Sequence, residues 1–200
     1  MKSRKNSTIG TQKLVLLALL TAVVVVLQLL GSFIKIGPFS ISLVMLPIAI
    51  GSALLGAFAG AWLGFVFAFV VMFSPDIVWF MNINIGATVM IVMLKGILAG
   101  LASGVSYKLF ERLNKTVAAV IAAAVCPIVN TGLFVLGSLL FFLPAIKAMS
   151  AGTQYSSALT FVIFVWVSAN FLFEFAFNLI LSPVIVRLVQ YRQLRRVPAL

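Results

Sequence analysis

Two ionisable residues, Lys95 and Glu174, lie within long apolar stretches of this 200-residue chain. Where such a stretch crosses a bilayer, a charge costs about 2.5–3.5 kcal/mol to insert, so ionisable residues there usually serve a function. Lys95 offers a cation that can bind a carboxylate. Glu174 repeats with Asn170 and Asn178 at intervals of four, which places these side chains on one helix face that must turn away from lipid. Simple neutralisation of Lys95 by Glu174 is the structural alternative.

Amide side chains are expected to share a cavity with Lys95. Along the predicted helices, Lys95 lies ~13 Å and Asn130 ~9 Å below the outer surface, and Asn170 lies near mid-membrane as a floor. Asn84 lies at a helix N-terminus, where free N–H groups and the helix dipole favour an anionic ligand. The other two members of the Asn170 stripe are expected to hold the bundle together. One cation, several amides and phenylalanine walls suit a small carboxylate with polar groups and an apolar body.

The composition decides the class of protein that holds these residues. Hydrophobic residues make up 64% of the chain, charged residues only 8%, and the mean hydropathy is +1.26. A soluble chain is about a quarter charged, so the composition excludes a disordered, coiled-coil, nucleic-acid-binding or secreted disulfide-rich protein. With no histidine and a single cysteine, Cys126, the chain also lacks the residues for a Cys/His metal site. We expect an integral membrane protein without metal or cofactor.

The number of membrane spans follows from lengths and charges. The stretch 14–34 lacks the small-residue cleavage site of a signal peptide and is interpreted as a retained first helix. The stretch 41–73 would be ~50 Å long as one helix, so we divide it near Gly56. With six helices, eleven of the fourteen basic residues lie on one side and two on the other, which makes the first side cytoplasmic.

We therefore predict an all-α, multi-pass bundle in a single membrane domain, 1–200, with both termini cytoplasmic. The predicted helices are approximately 14–34, 41–56, 58–73, 86–110, 116–142 and 158–189.

Small residues at intervals of four are expected to hold these helices together, because close backbone approach replaces the hydrophobic effect in lipid. Two glycine stripes are interpreted as packing faces: Gly56, Gly60 and Gly64, and Gly96, Gly100 and Gly104. Ala18 and Ala22 form another small-residue face on the first helix. That face is either a seam within the bundle or a docking face for a second membrane protein.

A distinctive stretch follows the first helix. Residues 36–43 read IGPFSISL, and Leu46-Pro47-Ile48 and Leu54-Leu55-Gly56 come after them. With the helix count, the chain length and the Ala18-x-x-x-Ala22 face, this stretch resembles the S components, the substrate-binding membrane subunits of energy-coupling factor vitamin transporters, and most of all their pantothenate-specific members. Those members commonly have proline where this chain has Ala57.

The resemblance implies a subunit of the cell membrane that captures a vitamin from outside, while a scaffold transmembrane subunit and two ATPase subunits supply the work. It implies that the loaded subunit topples within the lipid bilayer and that Ala18 and Ala22 contact the scaffold. For pantothenate as the ligand, Lys95 would bind the carboxylate and Asn84, Asn130 and Asn170 the polar middle. Phe67 or Trp62 would form apolar walls.

Other functions stay open at this point. The chain could be an S component for another small vitamin. It could also be an autonomous secondary transporter in which Lys95 and Glu174 couple protons or ions, although the sequence shows no inverted repeat. An intramembrane enzyme would need a nucleophile and a base, and the chain has only Cys126 and scattered serines without any histidine. We therefore expect no enzymatic activity.

Overall fold

The helices of the computed structural model form an all-α bundle with one minimal hairpin. The structure describes residues 2–33, 35–36, 39–40, 42–155 and 157–194. Outside the described residues lie Ile34, at the end of the predicted first helix, Gly37, Pro38 and Ile41 of the stretch 36–43, and the basic residues Arg195 and Arg196.

Helices of very different lengths make up the described chain. In order they are α1 Lys2–Gly31, α2 Met45–Leu55, α3 Ala57–Val71, α4 Val78–Ile83, α5 Ile85–Phe110, α6 Lys115–Phe141, α7 Leu143–Ser150, α8 Ala158–Phe161 and α9 Ser168–Leu194. A 3₁₀ turn, Pro75–Ile77, precedes α4, and a π-helical segment, Val162–Val167, joins α8 to α9. Strands β1 (Lys35–Ile36) and β2 (Phe39–Ser40) pair antiparallel between α1 and α2.

Within the described residues, four stretches are long and apolar enough to cross a membrane: Thr11–Gly31, Ile85–Phe110, Lys115–Phe141 and Asn170–Leu188. Helix α3 and the segment Pro75–Ile83 together pass the same test as a pair bent by 78°. At 1.5 Å per residue the 11 residues of α2 reach only ~17 Å, about half the hydrocarbon thickness. The segment 74–86 contains the 3₁₀ turn and α4.

The chain breaks between α2 and α3 at Gly56. This residue has φ +101° and ψ 172°, a conformation that glycine adopts without the steric cost of a Cβ. A Cβ built at Gly56 would meet no atom within 4 Å. Gly56 therefore turns the chain and does not belong to a packing face, which corrects its place in the predicted stripe.

The other glycines of the two stripes bring α3 directly against α5. A Cβ on Gly60 would collide with the carbonyl oxygen of Gly100, and one on Gly64 with the carbonyl oxygen of Gly96. Gly104 lies against the backbone of Ala57 at the start of α3. The predicted packing role of these glycines is confirmed, because only a hydrogen atom fits where the two backbones meet.

A small polar network joins α2, α5 and α6 in the same region. Ser103 Oγ lies 3.0 Å from Ser52 Oγ and donates to the Ala122 carbonyl at 2.9 Å. Both serines are almost completely buried. Polar groups buried in a bundle stabilise it when they find partners, so these hydrogen bonds fix the position of α5 between its neighbours.

Candidate functional site

A partly open cavity of about 730 Å³, counted with its opening, lies between the helices at the end of the bundle that carries the β1–β2 hairpin. Its polar lining consists of Gln28, Ser40, Ser42, Ser74, Asp76, Lys95, Asn130, Thr131, Asn170 and Glu174. Its aromatic lining consists of Phe67, Phe80, Phe134, Trp166 and Phe171.

The Lys95 ammonium lies over two aromatic rings of this cavity. Its Nζ is 5.0 Å from the centroid of the Phe134 ring and 5.9 Å from that of Phe67. Both distances are within the range of a cation–π attraction. Lys95 directly precedes Gly96, and Phe67 follows Gly64 by three residues. The contact between these glycines of α5 and α3 therefore also brings the Lys95 ammonium near the Phe67 ring.

Two asparagines contribute amides to the lining. Asn130 on α6 is 6% exposed, and its Oδ1 finds no hydrogen-bond donor among the described residues. Asn170 reaches the cavity from α9. An amide oxygen buried without a donor is costly, so the Asn130 side chain is suited to accept a hydrogen bond from a bound molecule.

Two carboxylates hold the hairpin segment above the cavity. Asp76 Oδ2 accepts hydrogen bonds from the backbone N–H of Ser40, at 2.7 Å, and from the Ser40 hydroxyl. Glu174 Oε1 accepts from the backbone N–H of Ser42 at 2.8 Å, and Ser42 Oγ donates to Gln28 Oε1 at 3.2 Å. These hydrogen bonds tie Ser40 and Ser42 to three distant parts of the chain.

The Asn170 stripe divides between the cavity and the core. Asn170 and Glu174 line the cavity, whereas Asn178 is 1% exposed and donates from Nδ2 to the Glu174 carbonyl at 2.8 Å. Glu174 binds the Ser42 N–H, and the ammonium of Lys95 lies over aromatic rings. No direct ion pair joins these two described side chains, but they line the same cavity and their opposite charges attract each other across it.

Two residues of the predicted site do not line the cavity. Asn84 is exposed and caps α5, because its Oδ1 accepts from the N–H of Ala87 at 3.0 Å. This hydrogen bond occupies one of the N–H groups at the start of α5 that were expected to bind an anion. Trp62 is 49% exposed and lies on the side of α3 away from the glycine contact, facing α1. Its Nε1 donates a hydrogen bond to Thr21 Oγ1 at 3.2 Å.

Several lining residues went unrecognised in the sequence. Gln28 is a polar residue within the first apolar stretch, which was the available signal for it. Trp166 stacks edge-on with Phe80 at 5.5 Å and comes from the π-helical segment, a distortion common at functional sites. Asp76 lies in the 3₁₀ turn before α4. Neither Trp166 nor Asp76 has a spacing that links it to Lys95.

One comparison with known proteins identifies a family for the chain. The family model of the ECF transporter, substrate-specific component, matches residues 12–186. No curated protein and no solved structure matches the chain. The matched region contains every residue that lines the cavity. The chain belongs to the family of substrate-specific components of ECF transporters.

Proposed function

We propose that the cavity binds a small vitamin that carries a carboxylate, and that this vitamin is pantothenate. The observation that carries the proposal is the Lys95 ammonium, which lies inside the cavity over aromatic rings. A charge placed at this depth without a salt-bridge partner among the described residues is an expensive feature, and a bound anion would offset its cost.

The remaining groups of pantothenate have partners in the same lining. Asn130 and Asn170 provide amides for its hydroxyl groups and its amide. Glu174 accepts a hydrogen bond from Ser42 through one oxygen and offers further lone pairs to a ligand hydroxyl. The ring of Phe67 provides an apolar wall for the geminal dimethyl group.

The negative charges of the cavity narrow the choice of ligand. Lys95 shares the lining with the carboxylates of Asp76 and Glu174, so an anion without hydrogen-bond donors would meet repulsion there. Pantothenate combines a single carboxylate with two hydroxyl groups and an amide N–H. We therefore favour it over anions that only accept hydrogen bonds.

In the transporter we propose a six-helix topology with both termini cytoplasmic and the cavity open to the outside. The hydrogen bond from Ser40 to Asp76 supports an even number of crossings between them, because it joins the segment after α1 to the segment after α3 at one end of the bundle. The subunit would reorient on a scaffold subunit powered by two ATPases. Ala18 and Ala22, both exposed on α1, would contact that scaffold.

Calorimetry of the purified chain tests the ligand. We expect pantothenate to bind and its neutral alcohol analogue, which has a hydroxymethyl group in place of the carboxylate, to bind at least about tenfold more weakly, a difference of about 1.4 kcal/mol. A panel of other vitamins is titrated in parallel. Equal affinity for pantothenate and the alcohol would contradict the role of the carboxylate, and tight binding of another vitamin alone would replace pantothenate.

One observation favours a second function, an autonomous secondary transporter. Glu174 is 6% exposed and lies in the same cavity as Lys95, as an ion-coupling pair would. Purified chain in liposomes separates the two functions. Substrate accumulation driven by an ion gradient without other subunits would favour the second function, whereas binding without accumulation agrees with the first.

A further inference from the structure

A second groove lies at the opposite end of the bundle, between the start of α6 and the C-terminal half of α9. It encloses about 500 Å³, counted with its opening, and is lined by Thr116, Val120, Ser182, Pro183, Val186 and Arg187. None of these residues belongs to the cavity around Lys95. The groove is therefore a separate feature of the fold.

The groove has a local cause in α9. Pro183 has no N–H, so the carbonyl of Leu179 loses the hydrogen bond that a regular helix would give it. Ser182 Oγ donates to that carbonyl at 2.8 Å and satisfies it. The proline ring and the small serine thus leave space beside α6 without an orphaned backbone group.

The groove changes from polar to apolar along its length, as a lipid does from its headgroup to its acyl chains. The exposed Arg187 lies near the end of the candidate span Asn170–Leu188, and the hydroxyl of Thr116 lies at the start of α6. Val120 and Pro183 each lie about four residues further in, or ~6 Å along the helix axis. The groove therefore has a cationic mouth and an apolar interior.

The surroundings of the mouth strengthen its positive charge. The same end of the bundle as Arg187 carries Lys108 in the last turn of α5, Arg112 in the turn that follows, and Lys115 at the start of α6. Among the described side chains of these helix ends, Glu111 is the acidic one. Basic pockets between helices at a membrane surface are suited to anionic lipid headgroups.

We propose that this groove binds one anionic phospholipid, with its phosphate at Arg187 and the upper part of an acyl chain against Val120 and Pro183. The charge at the mouth selects the headgroup, and the apolar interior distinguishes a lipid from a free phosphate ion. Such a lipid would fill the gap that Pro183 leaves and stabilise the contact of α6 with α9.

Native mass spectrometry and thermal unfolding of the full chain in a neutral detergent test the proposal. Phosphatidylglycerol should give an adduct of one lipid per chain and raise the melting temperature. Phosphatidylcholine with the same acyl chains should bind about fivefold more weakly, the loss expected for one basic contact at a membrane surface. Inorganic phosphate should leave the melting temperature unchanged, because it cannot fill the apolar part of the groove.

Two variants and a matched control locate the site. Arg187→Gln should remove the preference for phosphatidylglycerol, and Val120→Trp should block adduct formation by filling the groove. Arg112→Gln removes an exposed arginine at the same end that does not line the groove, and should keep the preference. If both arginine variants lost it equally, or if both lipids bound the wild type equally, the headgroup site would be refuted. Should Arg187→Gln fold poorly, Val120→Trp still tests the groove, and an undiminished lipid adduct in that variant would refute it.

Discussion

At the scale of single residues, the charged groups of the cavity differ in the partners that the fold gives them. The carboxylate of Asp76 accepts a hydrogen bond from the backbone N–H of Ser40, and that of Glu174 accepts one from the backbone N–H of Ser42. The Lys95 ammonium has aromatic faces at 5.0 and 5.9 Å, which attract a cation but do not replace hydrogen-bond acceptors. Both carboxylates thus accept hydrogen bonds within the fold, whereas the Lys95 ammonium is suited to bind a ligand.

Lys95→Ala should weaken pantothenate binding at least about tenfold, or about 1.4 kcal/mol, because the carboxylate loses its cation. Calorimetry of the purified variant measures the change. Lys108→Ala, at the far end of the same helix, is the matched control and should bind like the wild type. Unchanged affinity of the Lys95 variant would remove this residue from the site.

Glu174→Ala should lower the stability of the chain by about 1–3 kcal/mol, because the buried N–H of Ser42 loses its acceptor. Glu174→Gln keeps a side-chain oxygen in the same place and should cost much less. Thermal unfolding of both variants in one detergent gives the comparison. Equal destabilisation by alanine and glutamine would show that the charge of Glu174, and not this hydrogen bond, supports the fold.

At the scale of helices, the sequence predicts which helix faces pack together better than it predicts bends and distortions of the helices. The glycine stripes are visible as intervals of four, and their contact between α3 and α5 needs only that spacing. The 78° bend after α3 and the π-helical segment before α9 leave no periodic pattern, because both arise from how distant helices meet. The sequence predicted a helix start at Asn84, and its side chain caps that helix and does not line the cavity.

Gly64→Ala should destabilise the bundle by about 1–3 kcal/mol, because the added Cβ collides with the Gly96 carbonyl oxygen. Ligand affinity should fall as well, since the same contact places Lys95 against Phe67. Gly132→Ala is the control: a Cβ there meets nothing within 4 Å, and alanine in a helix is favoured by about 0.5–1 kcal/mol. A Gly64 variant as stable as the Gly132 variant would contradict the close contact of α3 with α5.

Ala18→Trp should spare ligand binding by the purified chain but reduce uptake by the assembled transporter. Ala18 is exposed, so a large side chain there is accommodated by the bundle and would interfere only with the proposed contact with the scaffold. Leu172→Trp, on an exposed position of α9 that is 62% accessible, is the control and should leave uptake unchanged. A parallel loss of binding and uptake in the Ala18 variant would place this face within the bundle.

At the scale of the whole molecule, the cavity draws on nearly every part of the chain. Gln28 comes from α1, Lys95 from α5, Asn130 from α6 and Trp166 from the π-helical segment. Depth alone was enough to predict that Lys95 and Asn130 share a cavity, because depth follows from counting along a helix. Which faces of the helices meet depends on contacts between residues far apart in sequence, and this is why Trp166 and Gln28 were missed.

The same long-range contacts bear on the proposed topology. If α2 and α3 form a return passage, the exposed residues Phe33 and Phe73 lie on one side of the membrane, whereas a single crossing between them would separate them. The Ser40–Asp76 hydrogen bond favours the first arrangement. The excess of basic residues near Leu113 predicts that Leu113 lies on the opposite, cytoplasmic side.

Single cysteines at Phe33, Phe73 and Leu113 test this arrangement with a membrane-impermeant maleimide. Cys126 is completely buried, so the wild-type chain should remain unlabelled and serves as the control. We expect Phe33→Cys and Phe73→Cys to react in intact cells, and Leu113→Cys to react only after permeabilisation. If Phe33→Cys reacted in intact cells and Phe73→Cys did not, the chain would cross the membrane once between these residues, and the total number of spans would be odd. Labelling of Leu113→Cys alone in intact cells would invert the bundle and turn the cavity toward the cytoplasm.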